Sequence, residues 1–431
     1  MTTQIAKLGR VRVVSETTFC TDQSGTPSGF IDLPVVEGSA TFVPMQDHLE
    51  PEVTQQTVHG FDNSLMVLGK KSGTLALTTY LAGTGDPQDG NSAWLTTTWA
   101  MYRVLKALMG GVFQGTAAHG AATVVVAAGS TASSINVTAG HGTTGSAGGA
   151  FACLINGKYE AREILSVSTD TIVPKVAFSN TPSNGAAVLW ATSFHLIEGT
   201  SANLESLQWL CEGVEAADEY SVLGSQGTIA IDIAANGIAK MPLSLTAASW
   251  SRTSTLTLAS PTSIPGFGPV VNMDSELIVG TGASGVSLVN GSCQTRNVIS
   301  HASSTWTPSV AVSPIPSPEG LNSSGMIGWK RARGRAVSGQ FVTYGDDSLT
   351  TVSWLTADAN RYAYSVNQQI GSTADSIVLI TAPTVQISAV PPRTNAGDLY
   401  GLTVSWAARN DGAIASATAG LQQSAMRIHL F

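Results

Sequence analysis

Thr228-Ile229-Ala230-Ile231-Asp232-Ile233, then Asn236-Gly237, then a second apolar run through Leu243 and Leu245, is the stretch whose reading decides the fold. Isoleucine at every second position puts one face of an extended chain against a core, because successive side chains of a strand point to opposite faces. Asn-Gly between two apolar runs is the strongest short-range hairpin signal, and the four residues from Ala234 to Gly237 make the loop longer than the minimal one. Antiparallel sheet is therefore the expected texture.

Outward from the hairpin the same texture recurs. Gly9-Arg10-Val11-Arg12-Val13-Val14 alternates polar and apolar residues and leads from an N-terminal arm into a strand. Further strands are expected at Ser39 to Met45 and Ser72 to Leu81, on either side of a long polar stretch from Gln46 to Ser64. A loop of that length inside a compact domain is uncommon and usually functional. Late strands are expected at Gly339 to Tyr344, Ser376 to Thr381 and Leu402 to Trp406, with Pro391-Pro392 breaking the run between the last two.

One amphipathic helix stands out, from Ala93 to Met109, where Leu95, Trp99, Tyr102, Leu105 and Leu108 fall on one face. Asn91 or Ser92 is the expected cap, and Gly110-Gly111 supplies the positive φ that ends many helices. No Asp, Glu, Lys or Arg occurs between Lys106 and Lys158. Within and beyond that charge-free stretch come short β-branched runs at Thr123 to Ala127, Ser134 to Thr138, Phe151 to Ile155, Glu163 to Val167, Thr171 to Val173 and Ala187 to Trp190. They predict a small all-β domain inserted at 116–195. The chain then divides into 1–115, the insert, 196–250 with the central hairpin, a Ser/Thr/Gly/Pro-rich β extension or second insertion at 251–328, and 329–431.

Charged residues make up 12% of the 431-residue chain, about half the usual ~25%. Interface cores are depleted in charge, so so bare a surface points to burial between subunits. The net charge of −8 argues against electrostatic gripping of nucleic acid. The one basic cluster, Lys330-Arg331-Ala332-Arg333-Gly334-Arg335, has no alternating aromatic platform and is read as a solvated or inter-subunit patch. No apolar stretch resembling a signal peptide follows the basic residues near the N-terminus, and nowhere do eighteen apolar residues run together, so a soluble chain without a membrane partner is expected.

Catalytic signals fail on context. Gly280-Thr281-Gly282-Ala283-Ser284-Gly285 matches the dinucleotide fingerprint, but Val286-Ser287-Leu288-Val289 follows where a helix should open, and no acidic residue lies between Glu276 and Glu319 to hold a ribose. Among 44 glycines this is read as a chance match. The seven histidines form no metal-binding spacing, and Cys20, Cys153, Cys211 and Cys293 are scattered and read as small core residues. Asp346-Asp347 sits in turn-like sequence. No catalytic, cofactor-binding or metal-ligating residue is nominated, and the expectation is a protein that is not an enzyme.

Several segments carry a resemblance. Lys7-Leu8-Gly9-Arg10 leading to Glu16-Thr17-Thr18, the strand Gly73-Thr74-Leu75-Ala76-Leu77, the helix end Leu105-Lys106-Ala107-Leu108-Met109-Gly110-Gly111, the stretch from Leu204 through Gly213 to the hairpin, and Ile380-Thr381-Ala382-Pro383-Thr384-Val385-Gln386-Ile387 resemble the tail tube proteins of long, flexible-tailed bacteriophages. The resemblance implies a mainly β fold, a tail-tube-type β-sandwich or barrel with one flanking α-helix, to which the inserted all-β domain adds an external module. It implies six copies per ring and rings stacked into a hollow conduit for DNA ejection. It further implies assembly in the host bacterial cytoplasm, residence in the virion tail, and tape measure, terminator and distal tail proteins as partners. Six chains of −8 carry −48 per ring, a sign that lets DNA slide through without specific binding. The long loop, with Asp47, Glu50, Glu52 and Asp62, should then reach the neighbouring ring. The alternatives are a capsid decoration or minor tail protein, and a β-rich carbohydrate-binding or carbohydrate-active protein.

Overall fold

The structure, a computed structural model, describes residues 6–23, 29–49, 67–83, 99–114, 124–138, 145–196, 204–213, 219–253, 275–288, 293–308, 312–316, 325–331, 337–344, 348–349, 352–374, 376–390, 394–396, 399–408 and 424–431. The fold is mainly β and antiparallel. β1 (Ala6–Ser15) turns Val11 and Val13 into the core and pairs with the short β2 (Ile31–Asp32). The two expected strands are present as β3 (Thr41–Leu49) and β4 (Val67–Tyr80) and pair with each other; β3 runs past Met45 into the polar stretch, and β4 starts before Ser72.

α1 (Ala100–Met109) follows. Trp99, whose backbone is extended, is its N-cap, and residues 93–98 of the expected helix lie outside the described residues. The suggested caps Asn91 and Ser92 lie outside the described residues. The C-terminal reading holds: Gly110 takes φ 90 and its N–H donates to the Lys106 carbonyl. Tyr102, Leu105 and Leu108 are buried, as are Met101 and Val104, so the helix is enclosed on more than one face.

β5 (Gly110–Gln114) leads to a separate five-stranded sheet made of β6 (Ile135–Asn136), β7 (Ala150–Ile155), β8 (Lys158–Val167), β9 (Thr171–Pro174) and β10 (Val188–Trp190). This module has its own core around Val126, Ile135, Phe151, Ile164, Ile172 and Trp190. β11 (Thr192–Leu196) returns beside β5, with Thr192 opposite Gln114, so the module leaves and rejoins the main sheet on neighbouring strands.

β12 (Leu207–Gly213), β13 (Glu219–Ile229), β14 (Ile231–Ala234), β15 (Lys240–Ala247) and β16 (Ser249–Thr253) follow. The central hairpin is present, with Ile229 opposite Leu243 and Asp232 opposite Lys240, and Asn236 takes the left-handed conformation at its turn. The pairings β1–β3, β3–β4, β4–β15, β15–β13, β13–β12 and β12–β1 form a closed ring. Val11, Val13, Phe42, Leu75, Leu77, Trp209, Leu243 and Leu245 share the core of this part with α1.

Region 251–328, expected as an extension or second insertion, supplies strands of the main sheet: β17 (Glu276–Thr281), β18 (Thr295–Ile299) and β19 (His301–Pro308). Its Ser- and Thr-rich composition hides β19, in which Ser304, Trp306 and Pro308 are buried and their neighbours are not. β20 (Val312–Pro316) and β21 (Met326–Arg331) make a two-stranded ribbon. After β22 (Val337–Tyr344) and the small pair β23 (Ser348–Leu349) and β24 (Val352–Ser353), a second, short helix appears, α2 (Trp354–Ala359). Ser353 caps it by accepting the Thr356 N–H. β25 (Ala363–Ile370), β26 (Val378–Ala389), β27 (Thr394–Ala396), β28 (Leu399–Ala408) and β29 (Arg427–Leu430) complete the chain.

The two halves repeat one another. β1, β2, β3, β4, α1, β12, β13, β14 and β15 have the order and pairings of β17, β18, β19, β22, α2, β25, β26, β27 and β28, except between the first and third strands. Val13 lies opposite Ile31 and Trp209, and Val279 lies opposite Asn297 and Val366, with the same chain separation from Val13 to Ile31 as from Val279 to Asn297. Both β12–β13 and β25–β26 carry a bulge at the same place, between Leu207 and Trp209 in one and between Tyr364 and Val366 in the other. Phe42, opposite Leu75, matches Trp306, opposite Gly339, and both rings are buried. Gly339 is required there, since a Cβ would run into the Trp406 ring and the Thr305 carbonyl. Asp232 opposite Lys240 matches Thr394 opposite Gly401. The exception is informative: Ala6 and Lys7 of β1 lie along Phe42 and Thr41, whereas Ile231 and Asp232 of β14 lie along Trp306 and Thr305.

Candidate assembly surface

The four acidic residues assigned to stacking start at the far end of the β3–β4 hairpin. Asp47 is exposed on β3; Glu50, Glu52 and Asp62 lie outside the described residues. The approach to that end is braced from β16. Trp250 donates its indole N–H to the Met45 carbonyl at 3.0 Å, its ring lies 6.4 Å from Phe42 edge-on, and the Lys71 ammonium sits 5.0 Å above it. Such a cation over an indole is worth about 0.5–1 kcal/mol at an exposed site. Met45 remains 43% exposed beside it.

Charges on the neighbouring strands are matched internally. Arg10 grips Asp32 through two hydrogen bonds of 2.6 and 2.9 Å, and that bond to Asp32 pushes the guanidinium pKa up. Buried Arg12 reaches Glu212 at 3.5 Å and Glu219 at 3.3 Å. Glu16 is a buried carboxylate that accepts the Cys20 and Gly224 N–H groups at 2.9 and 2.7 Å and the Ser206 hydroxyl. Burial pushes its pKa up despite those donors. These groups fix the corner at which β1 leaves the sheet.

The module is seated on the second half. Arg427 of β29 donates to Glu163 of β8 at 2.6 Å with both side chains buried. Arg162 bridges Glu160 at 2.8 Å and Glu276 of β17 at 3.2 Å, and Arg296 also pairs with Glu276. Gln369 accepts the Ala161 N–H and donates to the Tyr159 carbonyl, each at 2.7 Å. Ala150, Ala152 and Ala161 pack on Ile377, Leu379 and Phe431. A groove of about 420 Å³ opens along this seam between Tyr159, Glu160, Glu276, Val298 and Gln369. Its two carboxylates are both engaged by Arg162.

The remaining chemical candidates are packing features. Ser193 hydrogen-bonds the His429 ring at 2.8 Å, but both residues have no exposed surface. Burial, then the Arg427 charge, pushes His195 down to about 4. After β17 the Gly280–Gly285 stretch makes one 3-10 turn and no α-helix. A Cβ on Gly280 would strike Cys293, and one on Gly282 the Ser287 carbonyl, so close packing explains both glycines. Cys20, Cys153 and Cys211 are buried and Cys293 half-buried, and burial pushes the Cys153 and Cys211 thiols up. Of the basic cluster, Lys330 is exposed on β21, and residues 332–336 lie outside the described residues. Among the described residues no three His, Cys, Asp or Glu side chains converge as metal ligands, and no helix is long and apolar enough to cross a membrane.

What the sequence reading missed is the pair of sheet edges that join one half to the next. β14 pairs with β15 on one side and with β19 of the second half on the other. Its counterpart β27 pairs with β28 alone among the described strands. Pro391-Pro392 just before β27 was the available signal, since proline is confined to strand edges. No protein-family model matches this sequence, and no curated protein matches it.

Proposed function

We propose that this chain is a virion structural protein, the major tail tube subunit, whose copies close into rings that stack into a hollow conduit for DNA ejection. The observation that supports it best is the β14–β19 pairing, which makes one continuous sheet out of two helix-flanked β units. Extended around a ring, that continuity removes exposed edges, the main liability of sheets. The low charge content supports a surface spent on interfaces, and the net charge of −8 suits a lumen that DNA crosses without binding. Tape measure, terminator and distal tail proteins would meet the ends of such a tube. The seam of buried ion pairs and apolar contacts favours a module that braces the tube wall over one that swings free. Deleting Glu50 to Phe61 tests the reading. The truncated protein should keep its β circular dichroism and single rings but form no stacked tubes; tubes of normal length from it contradict the stacking role.

A further inference from the structure

We infer that β27 of one copy adds to the Ser39–Phe42 edge of the next, and that a ring consequently contains three chains. The internal repeat fixes the register. In the β14–β19 junction between the two halves, Ile231, Asp232, Ile233 and Ala234 of β14 lie opposite Trp306, Thr305, Ser304 and Ser303. The counterparts of Asp232 to Ala234 are Thr394 to Ala396, fixed by the matching pairs Asp232–Lys240 and Thr394–Gly401. The counterparts of Trp306 and Thr305 are Phe42 and Thr41, fixed by the pairings of β3 and β19 with β4 and β22 and by the shared burial of the two rings. Repeating the junction between copies sets Thr394 opposite Thr41, Asn395 opposite Ala40 and Ala396 opposite Ser39.

Within one chain that slot is covered by two residues of β1, Ala6 and Lys7. Strand addition displaces them, exchanging two backbone pairings for three. The interface is head-to-tail, so it closes into a ring only if the rotation per copy allows it. The count rests on the tail-tube reading. Six fold units per ring, at two per chain, are three chains, and the ring then carries −24 and not −48.

The test is disulfide trapping in the full-length chain. Thr41→Cys combined with Thr394→Cys, oxidised after assembly, should give a ladder on denaturing gels that stops at three chains, while each single variant stays monomeric on the gel. Retained β circular dichroism of the double variant shows that it has folded, and the ring mass of the unmodified protein should equal three chains. Rings that form without the crosslink overturn the strand pairing. A ladder or ring mass of six overturns the count. Crosslinked open chains without rings overturn the three-chain closure and the tube reading together, while leaving the strand pairing intact.

Discussion

Among the described residues the first half closes on itself and the second half does not. In the first, the start of β1 completes the ring of strands by lying along β3. In the second, the same place along β19 is filled by β14, a strand borrowed from the first half. The hairpins differ in the same sense. The far end of β3–β4 leads to an acidic segment, whereas the link between β19 and β22 carries the β20–β21 ribbon back onto the first half. There Trp329 donates to the Gly224 carbonyl at 2.8 Å and packs with Met326, Cys20 and Leu204. The second fold unit thus receives a strand from inside the chain, and the equivalent edge of the first, covered by Ala6 and Lys7, is the one proposed above to receive a neighbour.

The largest effects should come from the paired core positions. Trp306→Ala should cost about 4 kcal/mol in chemical denaturation, and Phe42→Ala about 3 kcal/mol, because both leave cavities in close-packed cores. The tryptophan costs more because its indole N–H also holds Gln368 at 2.9 Å. If either substitution costs under about 1 kcal/mol, the two positions are not equivalent anchors. The seam comes next. Glu163→Gln leaves Arg427 buried against a neutral amide and should cost about 3 kcal/mol, since removing one partner strands the other charge. A loss confined to the module, with the rest of the melt unchanged, would instead show that the seam carries no strain to the second half.

A pH effect of about 2 kcal/mol should follow from His195 beside that seam. Its pKa is lowered in the fold to about 4 from the ordinary 6.5, so its contribution is complete above pH 6.5 and falls as pH drops toward 4. Burial lowers His429 as well, in the same direction. Denaturation midpoints at pH 7 and pH 5 should therefore differ, and His195→Gln should flatten the slope; an unchanged slope assigns the effect elsewhere. The smallest contrast lies in the helices. Ser353→Ala removes the side-chain cap of α2 and should cost about 1 kcal/mol. Trp99, the N-cap of α1, makes no side-chain cap bond, so no equivalent cap substitution exists at that position.

Much of the local structure was legible in the sequence. The Ile229, Ile231, Ile233 alternation and Asn236-Gly237 located the hairpin, Gly110 located the end of α1, and short β-branched runs located the module strands, because each signal lies within a few residues of its effect. The pairings that build the fold were not legible. β1 meets β12, and β17 meets β25, across long stretches of chain, and nothing local encodes which strand a neighbour will be. The internal repeat was hidden because matched positions share burial and not identity: Phe42 with Trp306, Trp209 with Val366. The module adds a further interruption between α1 and β12 that has no counterpart between α2 and β25. α2 is too short to show a helical period, and of the proposed stacking residues only Asp47 falls on a described strand.

The decisive measurement is electron microscopy of the purified full-length protein across a concentration series. Hollow tubes of stacked rings, three-fold symmetric with six similar lobes, are the predicted result. Monodisperse single chains at every concentration would contradict both the tube reading and the shared sheet on which it stands.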